Sequence, residues 1–349
     1  MMLIILIAVF AGSALTVRGD KLDQQIAGIL ANHALKGAAV IMVGPQYPSP
    51  IVRVAGLASS KACPGSSSDV LVNKDTSFMI ASASKSFTGV AAAVALEKGF
   101  VDLDADISNL LGYDVYNPST ERGIKDMVIT LRHLLTHRSS MVTGSPPYGD
   151  DKEASYGGGY PGALSGTCPM RSLSAWYKDL LVDQPATSGY GGRDGDGKLN
   201  VPNWYKMSLE DDKTATPKEI GGSWMKNVAP GEKENYSNIG TGLVGALIEQ
   251  GWKKKAAEDK SVGPAGTFSE FCEKYIFGPA GMKHTAWHQE DLPNKGANVA
   301  RHFDNSGTKA KPSWKCMSPY CFADYPSGQL RTSANDIATY LQLMLNKGE

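Results

Sequence analysis

Ser82, Ala83, Ser84 and Lys85 form a Ser-x-x-Lys. On a helix, side chains three apart lie on one face, one turn apart, so a hydroxyl and an amine at this spacing can meet. A serine at a helix start stands where the positive end of the dipole favours developing negative charge. A desolvated lysine can give up its proton and act as a base toward that hydroxyl. A second group lies far downstream: Tyr236-Ser237-Asn238 is the only Tyr-x-Asn among 14 tyrosines. Free phenols and amines both titrate at about 10, so each needs help from its surroundings to work at neutral pH. The Asn238 amide is suited to hold a substrate carbonyl or the lysine. Ser82 is therefore the candidate nucleophile, Lys85 and Tyr236 are the candidate proton-transfer groups, and Asn238 is the candidate substrate-binding residue.

The tetrapeptide alone is a weak signal, because Ser223-Trp224-Met225-Lys226 and Ser306-Gly307-Thr308-Lys309 match it too. Only Ser82 follows an apolar segment, Phe78-Met79-Ile80-Ala81, and opens a long apolar helix. The structural alternative is that Ser82 merely caps that helix, with Lys85 in solvent and Tyr236 packed at a strand–helix junction. Asn235-Tyr236-Ser237 is also a glycosylation sequon; a glycan there would block the site, so Asn235 is expected to be unmodified.

The elements that must position these residues are legible as periodicities. Leu22, Ile26, Ile29 and Leu30 recur at helical spacing and Gly37 ends the pattern. Ala38 to Val43 and Ile51 to Ala58 read as an antiparallel strand pair across a Pro-containing turn. A helix is expected from Ser82 to Lys98, another from Ile129 to His137, and further ones at Gly240 to Trp252, Phe268 to Phe277 and Ala334 to Leu345. Ser333 with Asp336 resembles a capping box for the last. From about Met141 to Gly222, Gly, Pro, Asp, Ser and Tyr dominate, which predicts a loop-rich insertion with one helix near Leu173 to Leu181. Two strands make too small a sheet to be stable, so more strands are expected elsewhere.

The 349 residues carry 35 Lys+Arg against 35 Asp+Glu, with 42% hydrophobic residues. That is a globular composition, with no basic block of the kind phosphate neutralisation requires, so no nucleic-acid partner is expected. Met1 to Phe10 is an apolar run followed by Gly12, Ser13 and Ala14, which reads as a signal peptide over residues 1–19. Residues 20–349 then form the folded domain, expected to be secreted, with no stable membrane span after cleavage, or anchored if the leader stays. Export makes disulfides possible. Five cysteines leave the pairing open, and Cys316 with Cys321 is the first pair to expect on proximity. No metal and no cofactor are expected: His133/His137 and His284/His288 have i, i+4 spacing without the Glu of a zinc helix, and Asp194-Gly195-Asp196 departs from a calcium loop at Lys198 and Leu199.

Together, Ser-x-x-Lys and Tyr-x-Asn resemble the signature of the serine β-lactamase and penicillin-binding-protein family, and the Tyr-x-Asn form is similar to its class C β-lactamase branch, which includes carboxypeptidases and esterases. Phe78 to Ser108 looks like the family's nucleophile helix, and ITLRHLLTHRSSM, Ile129 to Met141, looks like its next helix and loop. The segments FCEKYIFGPAGMKHTAW and YPSGQLRTSANDIATYLQLML are similar to its later parts. The resemblance implies an α+β fold, β-lactamase/transpeptidase-like, with a helical region packed on an antiparallel sheet. It also implies a serine hydrolase that forms an acyl-enzyme with an amide or ester: a β-lactam, a D-Ala-D-Ala peptide or a small ester. The family's third motif, Lys-Thr-Gly or His-x-Gly, does not occur here. An incomplete sheet and weak activity of residues 1–349 alone are therefore expected. A non-catalytic homologue with a binding or structural role, or a truncated inactive fragment, is the alternative.

Overall fold

The computed structural model describes residues 6–9, 19–33, 35–63, 66–117, 128–141, 173–178, 220–221, 224–225, 228–292, 298–305, 307–308, 311–316 and 324–348. Most of the loop-rich insertion and Asp194-Gly195-Asp196 lie outside them, as do Cys168 and Cys321.

Strand β1 (Leu6–Val9) precedes helix α1 (Gly19–Asn32), followed by β2 (Gly37–Val43), β3 (Ile51–Ser59) and β4 (Val70–Leu71). These strands form one sheet in the order β1-β2-β3-β4. The β2–β3 pair is antiparallel, with Ala39 opposite Val54 and Ile41 opposite Val52, as the sequence predicts. The expected further strands prove to be β1, parallel to β2 with Leu6 opposite Val40, and β4, antiparallel to β3. Short β5 (Ser77–Met79) then leads into a 3₁₀ turn, Ala81–Ala83, and α2 (Ser84–Glu97).

Helix α3 (Ile107–Leu111), α4 (Leu131–Leu135) and α5 (Leu173–Lys178) come next, then the small strands β6 (Ile220–Gly221) and β7 (Trp224–Met225). The insertion thus keeps its expected helix near Leu173. The long α6 (Asn238–Glu258) follows, and α7 (Phe268–Cys272) runs on as a π turn, Glu273–Phe277. The hairpin of β8 (Phe303–Asn305) and β9 (Trp314–Cys316), then β10 (Arg331–Ser333) and α8 (Ala334–Leu345), complete the described chain.

Every residue of α6 from Ile239 to Glu249 is buried, which suits a helix enclosed by others. Ile239, Leu243, Val244, Leu247 and Ile248 are all buried, and α2, α3, α4, α5 and α7 pack on it. Helices α1 and α8 cover the β2–β3 pair. Ser333 caps α8 by accepting the Asp336 N–H at 3.1 Å. The Asp336 carboxylate accepts from the His284 N–H and the Thr285 hydroxyl, each at 2.7 Å. No helix among the described residues is long and apolar enough to cross a membrane.

The disulfide expectation is corrected. Cys63 bonds to Cys316, 253 residues away, with Cα atoms 5.1 Å apart. Nearness in sequence suggested Cys321, but the antiparallel β8–β9 hairpin brings Cys316 to the turn after β3. Cys272 is a buried free thiol, pushed well above the ordinary thiol range by desolvation.

Candidate active site

The Ser82 hydroxyl is placed by three connections made by its neighbours. Strand β5 pairs antiparallel with β10, Met79 opposite Arg331. Just beyond, the Ile80 N–H donates to the Leu330 carbonyl at 3.0 Å. Buried Ser84 then donates to the Ala81 carbonyl at 2.6 Å and accepts the Leu330 N–H at 3.1 Å. The chain enters the helix through Ala81, whose φ of 48° is left-handed for a residue with a side chain. Such a residue costs about 1–2 kcal/mol, strain of a kind that clusters at active sites.

Ser82 is exposed, and neither the 3₁₀ turn nor α2 takes a side-chain cap from it. Its hydroxyl instead meets the residues the spacing picked out. The Tyr236 hydroxyl donates to Ser82 Oγ at 2.8 Å, and Lys85 Nζ approaches the same oxygen at 3.4 Å. Lys85 Nζ also donates to Asn238 Oδ1 at 2.7 Å and to the Ser327 carbonyl at 2.5 Å. It lies 4.8 Å from the centre of the Tyr236 ring, within cation–π range. Three acceptors surround Nζ, matching the three N–H groups of an ammonium.

All four sequence-predicted residues therefore converge, across 153 positions between Lys85 and Asn238. The competing tetrapeptides are described only in part. Trp224 and Met225 are in a strand, where alternate residues face opposite ways, and Ser223, Lys226, Ser306 and Lys309 lie outside the described residues.

Tyr236 owes its position to a partner that the spacing argument considered only for metal binding. His137 follows α4 with φ 56°. Its carbonyl accepts the Asn235 N–H at 2.7 Å, and its Nδ1 accepts the Ser237 N–H at 3.2 Å. Its ring lies 4.8 Å from that of Tyr236. The Ser237 hydroxyl caps α6 by accepting the Gly240 N–H at 2.9 Å. Tyr236 is thus pinned between His137 and the start of α6, with Asn238 on the first helical turn. The segment LTHRSSM carried a resemblance, but nothing in its residue types marks His137 as a support for the tyrosine. His133 serves α4 in a capping box with Thr130, and His288 is buried beside Gln329 at 3.3 Å.

An accepting Nδ1 requires the neutral imidazole. Burial, with the Lys85 charge, holds the His137 pKa below its ordinary 6.5. The unfolded chain thus takes up this proton before the folded one does. Stability from the neutral ring is present above 6.5 and is lost as pH falls through the lower folded value. The difference in melting temperature between wild type and His137→Asn should accordingly shrink on going from pH 7.5 to pH 5. A difference that is constant or grows on acidification would contradict this role.

Comparisons with known proteins agree with the motif reading. A family model described as Beta-lactamase matches residues 22–349. Similar solved structures include an octameric penicillin-binding protein homologue from Pyrococcus abyssi, at 19% identity and TM-score 0.57, covering 95% of this chain and 57% of that one. A class C beta-lactamase, at 18% identity and TM-score 0.52, covers 94% of this chain and 65% of its own. A D-alanine carboxypeptidase from Burkholderia cenocepacia, at 20% identity and TM-score 0.52, covers 93% and 63%. The chain thus spans less than two thirds of the length of these structures and shares their fold, β-lactamase/transpeptidase-like. No curated protein matches it.

Proposed function

The chain belongs to the Beta-lactamase family, and from that premise we propose that it is a secreted serine hydrolase working through an acyl-enzyme on Ser82. The observation that carries the reading is the convergence of Tyr236 Oη and Lys85 Nζ on one exposed serine oxygen, at 2.8 and 3.4 Å. Attack forms a bond from Ser82 Oγ to the substrate carbonyl carbon while the Lys85–Tyr236 pair takes the hydroxyl proton. The pair returns that proton to the leaving amine or alcohol as the acyl bond breaks, and water then releases the acyl group by the same route. The Ser82 N–H, in the first turn, is the candidate donor to the developing oxyanion. Asn238 holds Lys85 and borders the substrate.

The substrate class is a small amide or ester: a β-lactam, a D-Ala-D-Ala peptide or a simple ester. Secretion is supported by the apolar leader and by the Cys63–Cys316 bond, which suits an oxidising compartment. Cleavage of residues 1–19 would take β1 away and open the β2 edge.

The test is hydrolysis of a chromogenic cephalosporin, a D-Ala-D-Ala peptide and a nitrophenyl ester by wild type and Ser82→Ala. Turnover of at least one, lost in Ser82→Ala, is expected. Equal turnover by the two proteins would refute the mechanism.

A further inference from the structure

We propose that Asp324 is a positioning residue of this site: its carboxylate, acting through Ser327, fixes the carbonyl on which Lys85 Nζ rests and so keeps that nitrogen aimed at Ser82. This rests on the reading that Ser82 is acylated.

Neither Asp324 nor Ser327 belongs to the motifs, and both are buried. They begin and end one tight turn, in which the Ser327 N–H donates to the Asp324 carbonyl at 2.9 Å. Ser327 faces two ways. Its hydroxyl donates to Asp324 Oδ2 at 3.1 Å, and its carbonyl accepts from Lys85 Nζ at 2.5 Å. One turn along α2 from Lys85, buried Thr88 donates to the Pro326 carbonyl at 2.7 Å, so the helix grips this turn at two points. Lys85 therefore has the serine oxygen on one side and a buried carboxylate, one residue removed, on the other.

The surroundings of Asp324 explain why its charge is felt at Lys85. Helix α6 presents Gly242 there; a Cβ at that position would come within 2.9 Å of the Asp324 Cβ and would collide with the Tyr177 hydroxyl. From α5, the buried Tyr177 phenol faces the carboxylate but donates to the Ile239 carbonyl at 3.0 Å. From α2, Lys85 supplies the cation. His137 and Tyr236 face Lys85 from its other side. Burial raises the Asp324 pKa to about 6, while the Ser327 hydroxyl and then the Lys85 charge pull it down. The carboxylate is thus ionised at neutral pH and becomes neutral just below it.

A buried charge of this kind is retained where it does something for the site, because burial works against its ionised form. With Asp324 ionised, it holds the Ser327 hydroxyl, and the Ser327 carbonyl stays beneath Lys85 Nζ, which also reaches Ser82 and Asn238. When Ser82 attacks, the Lys85–Tyr236 pair that takes its proton is therefore already in place.

The test is the pH dependence of acylation by a fluorophosphonate, followed as label on Ser82, in the full chain. For the wild type, the rate should fall on acidification through a midpoint near the Asp324 value of about 6. Asp324→Asn should lose this limb and run about 10–10²-fold slower at pH 7.5, the scale of a misplaced catalytic group. Ser327→Ala removes the hydroxyl but keeps the carbonyl, so it should move the midpoint upward; it also keeps the test decisive if Asp324→Asn fails to fold. A wild type labelled at Ser82 whose midpoint is unmoved in Ser327→Ala, or whose limb survives in Asp324→Asn, overturns this inference alone. Absence of any label on Ser82 overturns it together with the proposed function.

Discussion

Replacing Tyr236 with Phe is expected to slow turnover by about 10²–10⁴-fold, the usual span for the loss of a general base. The phenol oxygen is the closest proton-transfer group to Ser82 Oγ, at 2.8 Å. Phe keeps the ring beside His137 and beneath Lys85 Nζ, so the packing that places the segment is retained while the oxygen is lost. Lys85→Ala should cost a comparable factor, because it removes both the cation over the ring and the donor to Ser82, Asn238 and Ser327. The double variant should be far less impaired than the product of the two, as for residues acting as a unit. Steady-state kinetics on one ester substrate decides this. Full activity in Tyr236→Phe would remove the tyrosine from the mechanism.

The second large effect is on stability. Glu249→Ala is expected to cost about 3–5 kcal/mol, as when one partner of a buried ionic network is removed. Glu249 is fully buried on α6. Its carboxylate accepts the Leu173 N–H at 3.2 Å and the Phe268 N–H at 2.9 Å, the first residues of α5 and α7, and Lys253 lies 3.8 Å away. One side chain thus satisfies the open N-termini of two helices and complements both dipoles. Ala would leave two buried donors without that acceptor, each costing about 1–3 kcal/mol. Urea unfolding should show a lower midpoint at an unchanged slope. A loss below about 1 kcal/mol would show that the helix ends find other acceptors.

The helices and the β2–β3 pair were legible because their signals are local: apolar periodicity, a terminating Gly, and alternation around a Pro turn. Ser82, Lys85, Tyr236 and Asn238 were legible because residue type and short spacing carried them, and Ser333 showed as a cap for the same reason. What escaped depends on contacts distant in sequence. Cys316 pairs with Cys63 because of where the β8–β9 hairpin lies, and no spacing rule reports that. Strand β1 falls within the residues read as a leader, and an apolar run of that length suits a signal h-region and a strand alike. His137 was weighed only as a metal ligand and set aside, and its supporting role stayed hidden because its accepting Nδ1 is set by the chain that passes it from Asn235 to Ser237. Asp324 belongs to no spacing pattern; only the docking of its turn on α2 places it behind Lys85.

The account stands on acylation of Ser82, and the most direct measurement is the mass of the protein after incubation with a fluorophosphonate or a labelled penicillin, followed by peptide mapping. One adduct per chain on the peptide holding Ser82, absent in Ser82→Ala, is the predicted result. Label that persists in Ser82→Ala, or that maps to Ser223 or Ser306, would contradict it.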